Sequence, residues 1–263
     1  YVAKVLSQSQ KDVRQREQVF KSILITSAII GALILPENFS TAALLMLTVG
    51  VMMYVGRIEA RKLWLAAGMV VAGVLLFIAV AWMGGSEGRI GTWKNRIESY
   101  ISPGEGDNYQ ANQAKIAIVT GGLLGKGPGN STQRNFLPHP YSDFIYGIVI
   151  EEYGAAAGLL VLLLYLILFY RAGRIVTRCG RTFPAFLVIG IILSITFQAL
   201  INMAVAVNLF PVTGQTLPLI SMGGTSLLFA GVSLGIIQSV NRGEVEDAGR
   251  QRKTEIKKVS HAA

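Results

Sequence analysis

The sequence has little charge and almost no cysteine or histidine, and each shortage excludes a class of protein. Of its 263 residues, 15% are charged and 52% are hydrophobic, with a mean hydropathy of +0.49. Such a composition excludes a disordered chain and an ordinary soluble protein. The single Cys179 excludes an internal disulfide and a cysteine-rich metal site. His139 and His261, the two histidines, are too far apart in the sequence to suggest a histidine-built metal site.

Apolar runs of bilayer length follow one another along the chain, since a spanning helix needs about 20 apolar residues. The sequence predicts six transmembrane helices, at residues 19–35, 40–56, 63–84, 143–170, 184–208 and 219–241. The long polar loop 85–142 separates the third from the fourth. Its part from Tyr109 to Leu124 has apolar residues at helical spacing, which predicts an amphipathic or re-entrant helix.

The sequence therefore predicts an all-α polytopic membrane protein. We expect a single transmembrane domain over residues 1–242 and a charged tail over residues 243–263, which its composition predicts to be disordered. The chain begins without an initiator methionine, and its first apolar residues resemble the end of a span, so we expect a fragment of a longer protein.

The distribution of lysine and arginine predicts an orientation, because positive residues concentrate in cytoplasmic loops. Of the 24 lysines and arginines, the long loop holds only Arg89, Lys94, Arg96, Lys115, Lys126 and Arg134. We therefore expect that loop to be extracytoplasmic and both ends of the chain to be cytoplasmic. The same distribution accounts for the net charge of +9, so no nucleic-acid partner is expected.

Three acidic residues lie at or within the predicted fourth span, where an acidic side chain usually faces a cavity, a partner or a reaction. Asp143 follows two prolines that stiffen the chain. The alternative is that Ser142 or Asp143 caps the following helix, and Ser142 can cap it while Asp143 points into a cavity. Glu151 and Glu152 point about 100° apart on a helix, so they cannot share one task. One is expected to line a cavity or pair with a cation and the other to contact a neighbouring helix, and we favour a structural role for the pair.

Polar residues and helix breakers also occupy the last two predicted spans. Gln198 and Asn202 are four residues apart and share one helical face. Thr213 and Ser221 lie in "PVTGQTLPLISMGGTSLL", residues 211–228, whose prolines and glycines interrupt a helix. Broken backbone at membrane depth persists only where it is buried or lines a cavity. These spans are therefore predicted to wall a polar cavity that opens outward.

Several motifs in this order resemble those of the SEDS proteins (shape, elongation, division and sporulation). They are "TWKNRIESY", "DNYQANQAKIAIVTGGLLGKGPGNSTQ", "SDFIYGIVIEEYG", "FQALIN" and "LFPVTGQTLPLISMGGTSLL". The resemblance runs from about Tyr1 to Arg242, with the division members most similar and the elongation members next. It implies ten spans in the intact protein, of which this chain would hold the fifth to the tenth.

The resemblance implies a peptidoglycan glycosyltransferase that polymerises lipid II into glycan strands at the outer face of the bacterial cytoplasmic membrane, at the division septum. The implied partners are a class B penicillin-binding protein and other division proteins. The essential aspartate of the family falls on Asp143, which we interpret as the general base. The candidate substrate-binding residues are Lys126, Arg134, Trp93, Arg96, Gln110, Glu152, Gln198, Asn202, Thr213 and Ser221. No cofactor is certain; a divalent cation (Mg or Mn) is left open and any metal ligands are unknown.

One carboxylate can serve this chemistry, because pyrophosphate leaves without an acid once its charge is neutralised, here by Lys126 or Arg134. Two alternatives remain at this point. One is a flippase for a lipid-linked precursor, and the other is a non-catalytic scaffold for a penicillin-binding protein, with Asp143 as a helix cap. An enzyme is favoured because the polar residues gather towards one face and in one loop, not midway across the membrane.

Overall fold

The computed structural model describes residues 1–10, 16–83, 109–137 and 140–262, and every regular element within them is helical. The α-helices are α1 (Val2–Ser9), α2 (Arg16–Ile34), α3 (Phe39–Val55), α4 (Ala60–Met83), α5 (Tyr109–Gly121), α6 (Ile145–Arg178), α7 (Thr182–Ala206) and α8 (Gly224–Ala262). A short 3₁₀ helix, Gln133–Asn135, lies between α5 and α6. The prediction of an all-helical protein is confirmed.

Four helices are long and apolar enough to cross a membrane: α2, α6, α7 and the part of α8 from Gly224 to Glu244. Helix α3 is apolar but shorter, with 17 residues. These helices support a polytopic membrane protein. That α3 and α4 also span the membrane stays a prediction, as does the re-entrant or surface position of α5.

Three element ends differ from the predicted ones by five residues or more. Helix α6 continues to Arg178, eight residues beyond the predicted end at 170. Helix α8 begins at Gly224 and not at 219, because residues 218–222 form turns in which Leu219 has a φ of 71°. The same helix continues to Ala262, so the tail that was expected to be disordered is helical. Its lysine, arginine, glutamate and glutamine residues all have high helix propensity. The prediction of disorder considered only their charge.

Helix α7 is the centre of the bundle and packs on both sides. On one side Phe186 and Leu193 join a buried cluster with α1, α2 and α3. On the other side Ala199 and Met203 join a cluster with α6. Helices in a membrane associate by close packing, which favours small residues at their contacts. Gly190 illustrates this, since a Cβ atom there would lie 2.9 Å from the sulfur of Met52 on α3.

The connections between helices fall at two ends of this bundle. At one end, which we call the Asp143 end, the Gln215 side chain in the α7–α8 connection donates to Thr41 at the start of α3, at 2.9 Å. At the opposite end, the backbone N–H of Gly180 between α6 and α7 donates to Glu244 of α8, at 3.0 Å. This arrangement places the basic α6–α7 connection opposite Asp143. Which end faces the cytoplasm stays a prediction.

Candidate functional site

Asp143 lies half-buried in the turn that leads into α6. The hydroxyl of Ser142 donates to its Oδ1 at 2.8 Å, and among the described residues the carboxylate has no cation within ion-pair distance. Its other oxygen, Oδ2, faces Gly214, where a Cβ atom would lie 3.7 Å away. The N-cap position of α6 is Phe144, and no side chain caps the helix. The capping alternative for Asp143 is therefore not observed, and one carboxylate oxygen is left free of the described side chains.

Asn202, near the end of α7, holds the backbone of this turn. Its amide Nδ2 donates to the carbonyl oxygen of Asp143 at 2.8 Å and to that of Gln215 at 2.7 Å. The side chain is buried, with 1% of its residue surface exposed. One turn earlier on α7, Gln198 donates in the same way to the backbone and the hydroxyl of Thr216. The sequence predicted that Gln198 and Asn202 share one helical face. Both side chains donate hydrogen bonds to the irregular α7–α8 connection.

Ser221 holds the same turn from the other side. Its hydroxyl accepts from the backbone N–H of Leu217 at 2.7 Å and donates to the carbonyl of Ser142 at 2.6 Å. The next residue, Met222, donates its backbone N–H to the carbonyl of Tyr141 at 2.8 Å. Ser221 is 3% exposed. The segment that the sequence predicts to be broken is therefore bound directly to the turn that carries Asp143.

Glu151 is fully buried in α6, and both of its carboxylate oxygens are saturated with donors. Oε1 accepts from Lys126 Nζ at 2.6 Å and from the hydroxyl and backbone N–H of Thr132 at 2.9 and 3.2 Å. Oε2 accepts from the Ser131 hydroxyl at 2.5 Å and from the Gln133 backbone at 3.3 Å. A buried charge persists only when it is paired and hydrogen-bonded in this way. The prediction that one of the two glutamates pairs with a cation is confirmed for Glu151, and the favoured structural role stays a prediction.

The chain before α6 also pairs with it along the backbone. Helix α6 is interrupted at Gly154, whose φ and ψ are 83° and 172°. There the backbone N–H of Ala155 donates to the carbonyl of Gly122 at 2.8 Å. The approach is so close that a Cβ atom on Gly154 would lie 2.1 Å from the carbonyl oxygen of Leu123. Residues 122–127 thus lie against the break, and this contact positions Lys126 beside Glu151.

The structure brings only some of the predicted site residues together. Asp143, Asn202 and Ser221 form one connected group. Lys126 lies beside Glu151. Glu151 comes eight residues after Asp143, which is about 12 Å along the helix axis at the usual rise per residue. Arg134, Gln110, Glu152 and Thr213 are partly exposed, and their contact with a substrate stays a prediction. Trp93 and Arg96 lie outside the described residues.

Sequence reasoning missed Gln215 and Asn38. The Asn38 side chain caps α3 by accepting from the backbone N–H of Thr41 at 3.1 Å, and the amide of Gln215 reaches its Oδ1 at 3.4 Å. The signal was present, because "NFST" before an apolar run is typical of a helix N-cap. Gln215 gave no comparable signal.

Comparison with known proteins gives a consistent result. The family model for the FtsW, RodA and SpoVE proteins, described as "Cell cycle protein", matches residues 1–246. The stage V sporulation protein E of Bacillus subtilis is 34% identical over 251 residues, which cover 92% of this chain and 65% of that protein. A protein of Coxiella burnetii named a probable peptidoglycan glycosyltransferase FtsW is 32% identical over 247 residues, covering 90% of this chain and 63% of that protein. The chain thus spans just under two thirds of the length of these relatives.

Two solved structures share the fold. One belongs to work on the coordination of polymerization and crosslinking by a peptidoglycan synthase complex, with a TM-score of 0.65 and 23% identity over 92% of this chain and 66% of that chain. The other is a mutant of the rod shape determining protein RodA of Thermus thermophilus, with a TM-score of 0.56 and 20% identity over 92% of this chain and 62% of that chain. At these identities the likeness concerns the fold alone.

Proposed function

Because this chain belongs to the FtsW, RodA and SpoVE family of cell cycle proteins, we propose that its protein is a peptidoglycan glycosyltransferase. It polymerises lipid II into glycan strands at the outer face of the bacterial inner membrane during cell division. The observation that carries this proposal is the carboxylate of Asp143, which is held in place but has one oxygen free of the described side chains. The name of the Coxiella burnetii relative, a probable peptidoglycan glycosyltransferase, supports the substrate class.

Asp143 is proposed to act as the general base. Its carboxylate takes the proton of the 4-hydroxyl of the acceptor sugar, and that oxygen attacks the anomeric carbon of the donor. The attack comes from the face opposite the pyrophosphate, so the bond between this carbon and the pyrophosphate oxygen breaks and the configuration inverts. A general base must lie within about 2.6–3.2 Å of the proton-bearing oxygen, and such catalysis typically contributes about 10²–10⁴-fold. The space beside Oδ2 at Gly214, which lacks a side chain, is where we place that hydroxyl.

The leaving pyrophosphate needs positive charge, and the two predicted cations differ in their availability. Lys126 is already paired with Glu151 at 2.6 Å, whereas no ion pair of Arg134 is found in the described part of the chain. An arginine can also grip phosphate oxygens with two parallel hydrogen bonds. We therefore propose Arg134 as the main pyrophosphate contact, with Lys126 as a weaker one.

A divalent cation, Mg or Mn, remains open as a cofactor. The described residues contain no group of three or more histidine, cysteine, aspartate or glutamate side chains that could hold a metal. Mg²⁺ usually binds through one or two carboxylates together with substrate phosphates. Asp143 and the pyrophosphate of the substrate would fit that pattern.

A large cavity suits the lipid part of the substrate. It has a volume of about 750 Å³ and lies between α1, α2, α3, α7 and α8. Its walls are mainly apolar, as at Ile30, Leu45 and Phe229, and it reaches Gln198 and Thr216 near the Asp143 end. We propose that the polyprenyl chain enters this cavity, with Gln198 at the boundary between the lipid and the polar head group.

The proposed setting follows from the loop charges. The Asp143 end faces outward and the C-terminal tail faces the cytoplasm, because the basic connections lie at the opposite end. Lipid II is therefore met on the outer face. The first residue, Tyr1, lies beside Ser22 and Thr26 of α2, partway along the bundle and not at its basic end. The proposed partners are a class B penicillin-binding protein, which cross-links the strands, and other proteins of the division septum.

The test compares wild-type protein with the Asp143→Asn variant in liposomes, using the intact protein, its penicillin-binding protein and labelled lipid II. Asparagine keeps the shape of the side chain but cannot take the proton, so glycan synthesis should fall at least about 10²-fold. The matched control is Glu59→Gln, the same chemical change at an exposed position beyond the far end of α3. It should retain wild-type activity.

The other outcomes each reject the proposal in a different way. Equal polymer from Asp143→Asn and wild type would reject Asp143 as the base. Absence of polymer from both, with lipid II still crossing the bilayer, would identify a flippase. Absence of both polymer and transport, with the penicillin-binding protein still bound, would leave a scaffold.

A further inference from the structure

We propose that Asn202 and Ser221 are positioning residues, which fix the carboxylate of Asp143 by holding its turn against the α7–α8 connection and do not touch the substrate. The inference deepens the proposed function and rests on it for its kinetic consequence. Its structural part stands on contacts within the chain alone.

The first observation is that three consecutive carbonyl groups of the turn are all held by the same neighbouring region. The carbonyl of Tyr141 accepts from the Met222 backbone, that of Ser142 from the Ser221 hydroxyl, and that of Asp143 from the Asn202 amide, at 2.8, 2.6 and 2.8 Å. Fixing three successive peptide planes removes the backbone rotations that would swing the Asp143 side chain.

The second observation is that Asn202 works through its donors only. Both of its established hydrogen bonds come from Nδ2, and they join the carbonyls of Asp143 and Gln215, which belong to separate segments. Its Oδ1 is buried and has no partner among the described residues. Burying an acceptor without a partner costs free energy. The two hydrogen bonds that the amide donates must offset this cost for an amide to be stable at this position. A side chain so deeply buried is poorly placed to meet a substrate.

The third observation is that the Ser221 hydroxyl both accepts and donates a hydrogen bond within the chain. Its oxygen accepts from the Leu217 backbone while its hydrogen goes to the Ser142 carbonyl. The hydroxyl therefore has no hydrogen left for a ligand. Ser142 in turn donates its own hydroxyl to Asp143 Oδ1, which extends the connection to the carboxylate itself.

A positioning role predicts a specific kinetic result. Displacing a reacting group by about 1 Å can cost about 10²-fold in rate, even when substrate binding is intact. Loss of either residue should therefore lower kcat and leave KM for lipid II nearly unchanged. A residue that binds the ground state of the substrate would instead raise KM.

The first experiment needs no activity. Hydrogen–deuterium exchange is measured on the intact protein for the peptide covering residues 214–223, which contains the donating N–H groups of Leu217 and Met222, in wild type, Asn202→Asp and Ser221→Ala. Aspartate has the shape of asparagine but no N–H to donate. The control Asn112→Asp makes the same change at an exposed position on α5. We expect at least a tenfold faster exchange in residues 214–223 for both site variants, with unchanged exchange in residues 156–170 and in the control.

The second experiment measures glycan synthesis with the same proteins, together with Ser221→Thr, which keeps the hydroxyl. We expect kcat to fall about 10²-fold for Asn202→Asp, with KM within twofold of wild type, and Ser221→Thr to recover most of the activity that Ser221→Ala loses. A raised KM with unchanged kcat would overturn the inference in favour of direct substrate contact.

The two experiments fail in different ways. Unchanged exchange in residues 214–223 for both site variants would overturn the positioning role whatever the activity. Absence of polymer from wild-type protein would refute the proposed function, while the exchange measurement would still decide whether these residues hold the turn. If Asn202→Asp does not fold, Ser221→Ala, which removes one oxygen atom, decides both measurements.

Discussion

Asp143 and Glu151 are carboxylates on the same stretch of chain, but their surroundings are opposite. Glu151 accepts hydrogen bonds from four residues and is sealed from solvent, so it has no capacity left for chemistry. Among the residues that the structure describes, Asp143 accepts one side-chain hydrogen bond, and it is only half-buried. A saturated carboxylate fixes structure, and an unsaturated one can take a proton. The difference between the two lies in their partners and not in their residue type.

The first prediction concerns the buried pair of Glu151 and Lys126. Glu151→Gln should lower the free energy of unfolding by about 3 kcal/mol, because it leaves a partly buried ammonium group without its partner. Reversible unfolding in mixed micelles measures the change. The control Glu17→Gln breaks an exposed pair with Lys21 and should change stability little. Equal effects from both variants would contradict a special role for Glu151.

The second prediction concerns Gly214, which has a φ of 68° and lies beside Oδ2 of Asp143. Gly214→Ala should cost about 1 kcal/mol of stability, because alanine is disfavoured in this backbone region. It should also reduce glycan synthesis, because the methyl group fills the space proposed for the acceptor hydroxyl. Gly50→Ala on α3 is the control, since a Cβ atom there meets nothing within 4 Å. Full activity of Gly214→Ala would exclude this placement of the acceptor.

At the residue scale, the sequence identified the polar residues that matter, but it did not predict the role of each one. Asp143, Asn202 and Ser221 were singled out as polar groups in apolar surroundings, and the structure connects them. Which of the three is the reactive carboxylate and which two support it depends on hydrogen bonds between residues that lie 59 and 79 positions apart in the chain. No local sequence pattern encodes such contacts. The assignment of Glu151 was within reach, because a buried acid requires a partner.

At the scale of elements, α6 is two helical pieces joined by a break at Gly154. A residue at this φ and ψ is essentially restricted to glycine, and the backbone of the loop after α5 occupies the space that a side chain would need. The break lets residues 122–127 hydrogen-bond to α6 along the backbone. Helix α5 and the first piece of α6 therefore behave as one unit.

The third prediction tests this break. Gly154→Ala should lower stability by about 1–3 kcal/mol from backbone strain alone, and by more because of the clash with Leu123. Limited proteolysis after residue Lys126 should then become faster as the loop detaches. Gly173→Ala is the matched control on the same helix, since its Cβ atom meets nothing within 4 Å. Resistance of the Gly154→Ala loop to protease would show that the two pieces do not depend on the break.

The helices themselves could be predicted from the sequence to within a few residues, as α2, α3 and α4 illustrate, because the length of an apolar run decides where a spanning helix can lie. The break in α6 could not, because glycine within an apolar run is common in membrane helices. Only the contact with residues 122–127 distinguishes Gly154 from a glycine such as Gly173. The late start of α8 has a similar cause, since the turn before it is fixed by its bonds to the α6 turn.

At the scale of the whole molecule, the bundle has a polar, hydrogen-bonded end and a basic end. At the first, α7 and the α7–α8 segment bond to the turn that carries Asp143, and α3 bonds to that segment through Gln215. At the second, the α6–α7 connection meets α8 through Glu244. The single cysteine, Cys179, lies in that connection and offers a natural probe of which end faces the cytoplasm.

The fourth prediction uses this thiol. Burial raises the pKa of Cys179, and the nearby Glu244 carboxylate raises it further. A higher pKa leaves less thiolate at a given pH, so maleimide labelling should be slow near pH 7 and accelerate as the pH rises. A membrane-impermeant maleimide should label inverted vesicles and spare right-side-out ones. Labelling of right-side-out vesicles alone would reverse the proposed orientation.

Glu244→Gln supplies the control for the chemical part of this prediction. It removes the negative charge next to the sulfur, so the pKa should fall and labelling should become faster at every pH near neutrality. The side of the membrane that is labelled should not change. An unchanged labelling rate would show that Glu244 does not influence the thiol.

The three bonds that hold the Asp143 turn all end on backbone carbonyl groups, and every amino acid has one. The side chain at position 143 can therefore be exchanged by a single mutation without loosening the support beneath it. Over evolutionary time the side chain at position 143 and the hydrogen bonds that hold its backbone can change independently of each other. A descendant that loses the carboxylate would keep a folded bundle, and it could be retained for a purpose other than catalysis.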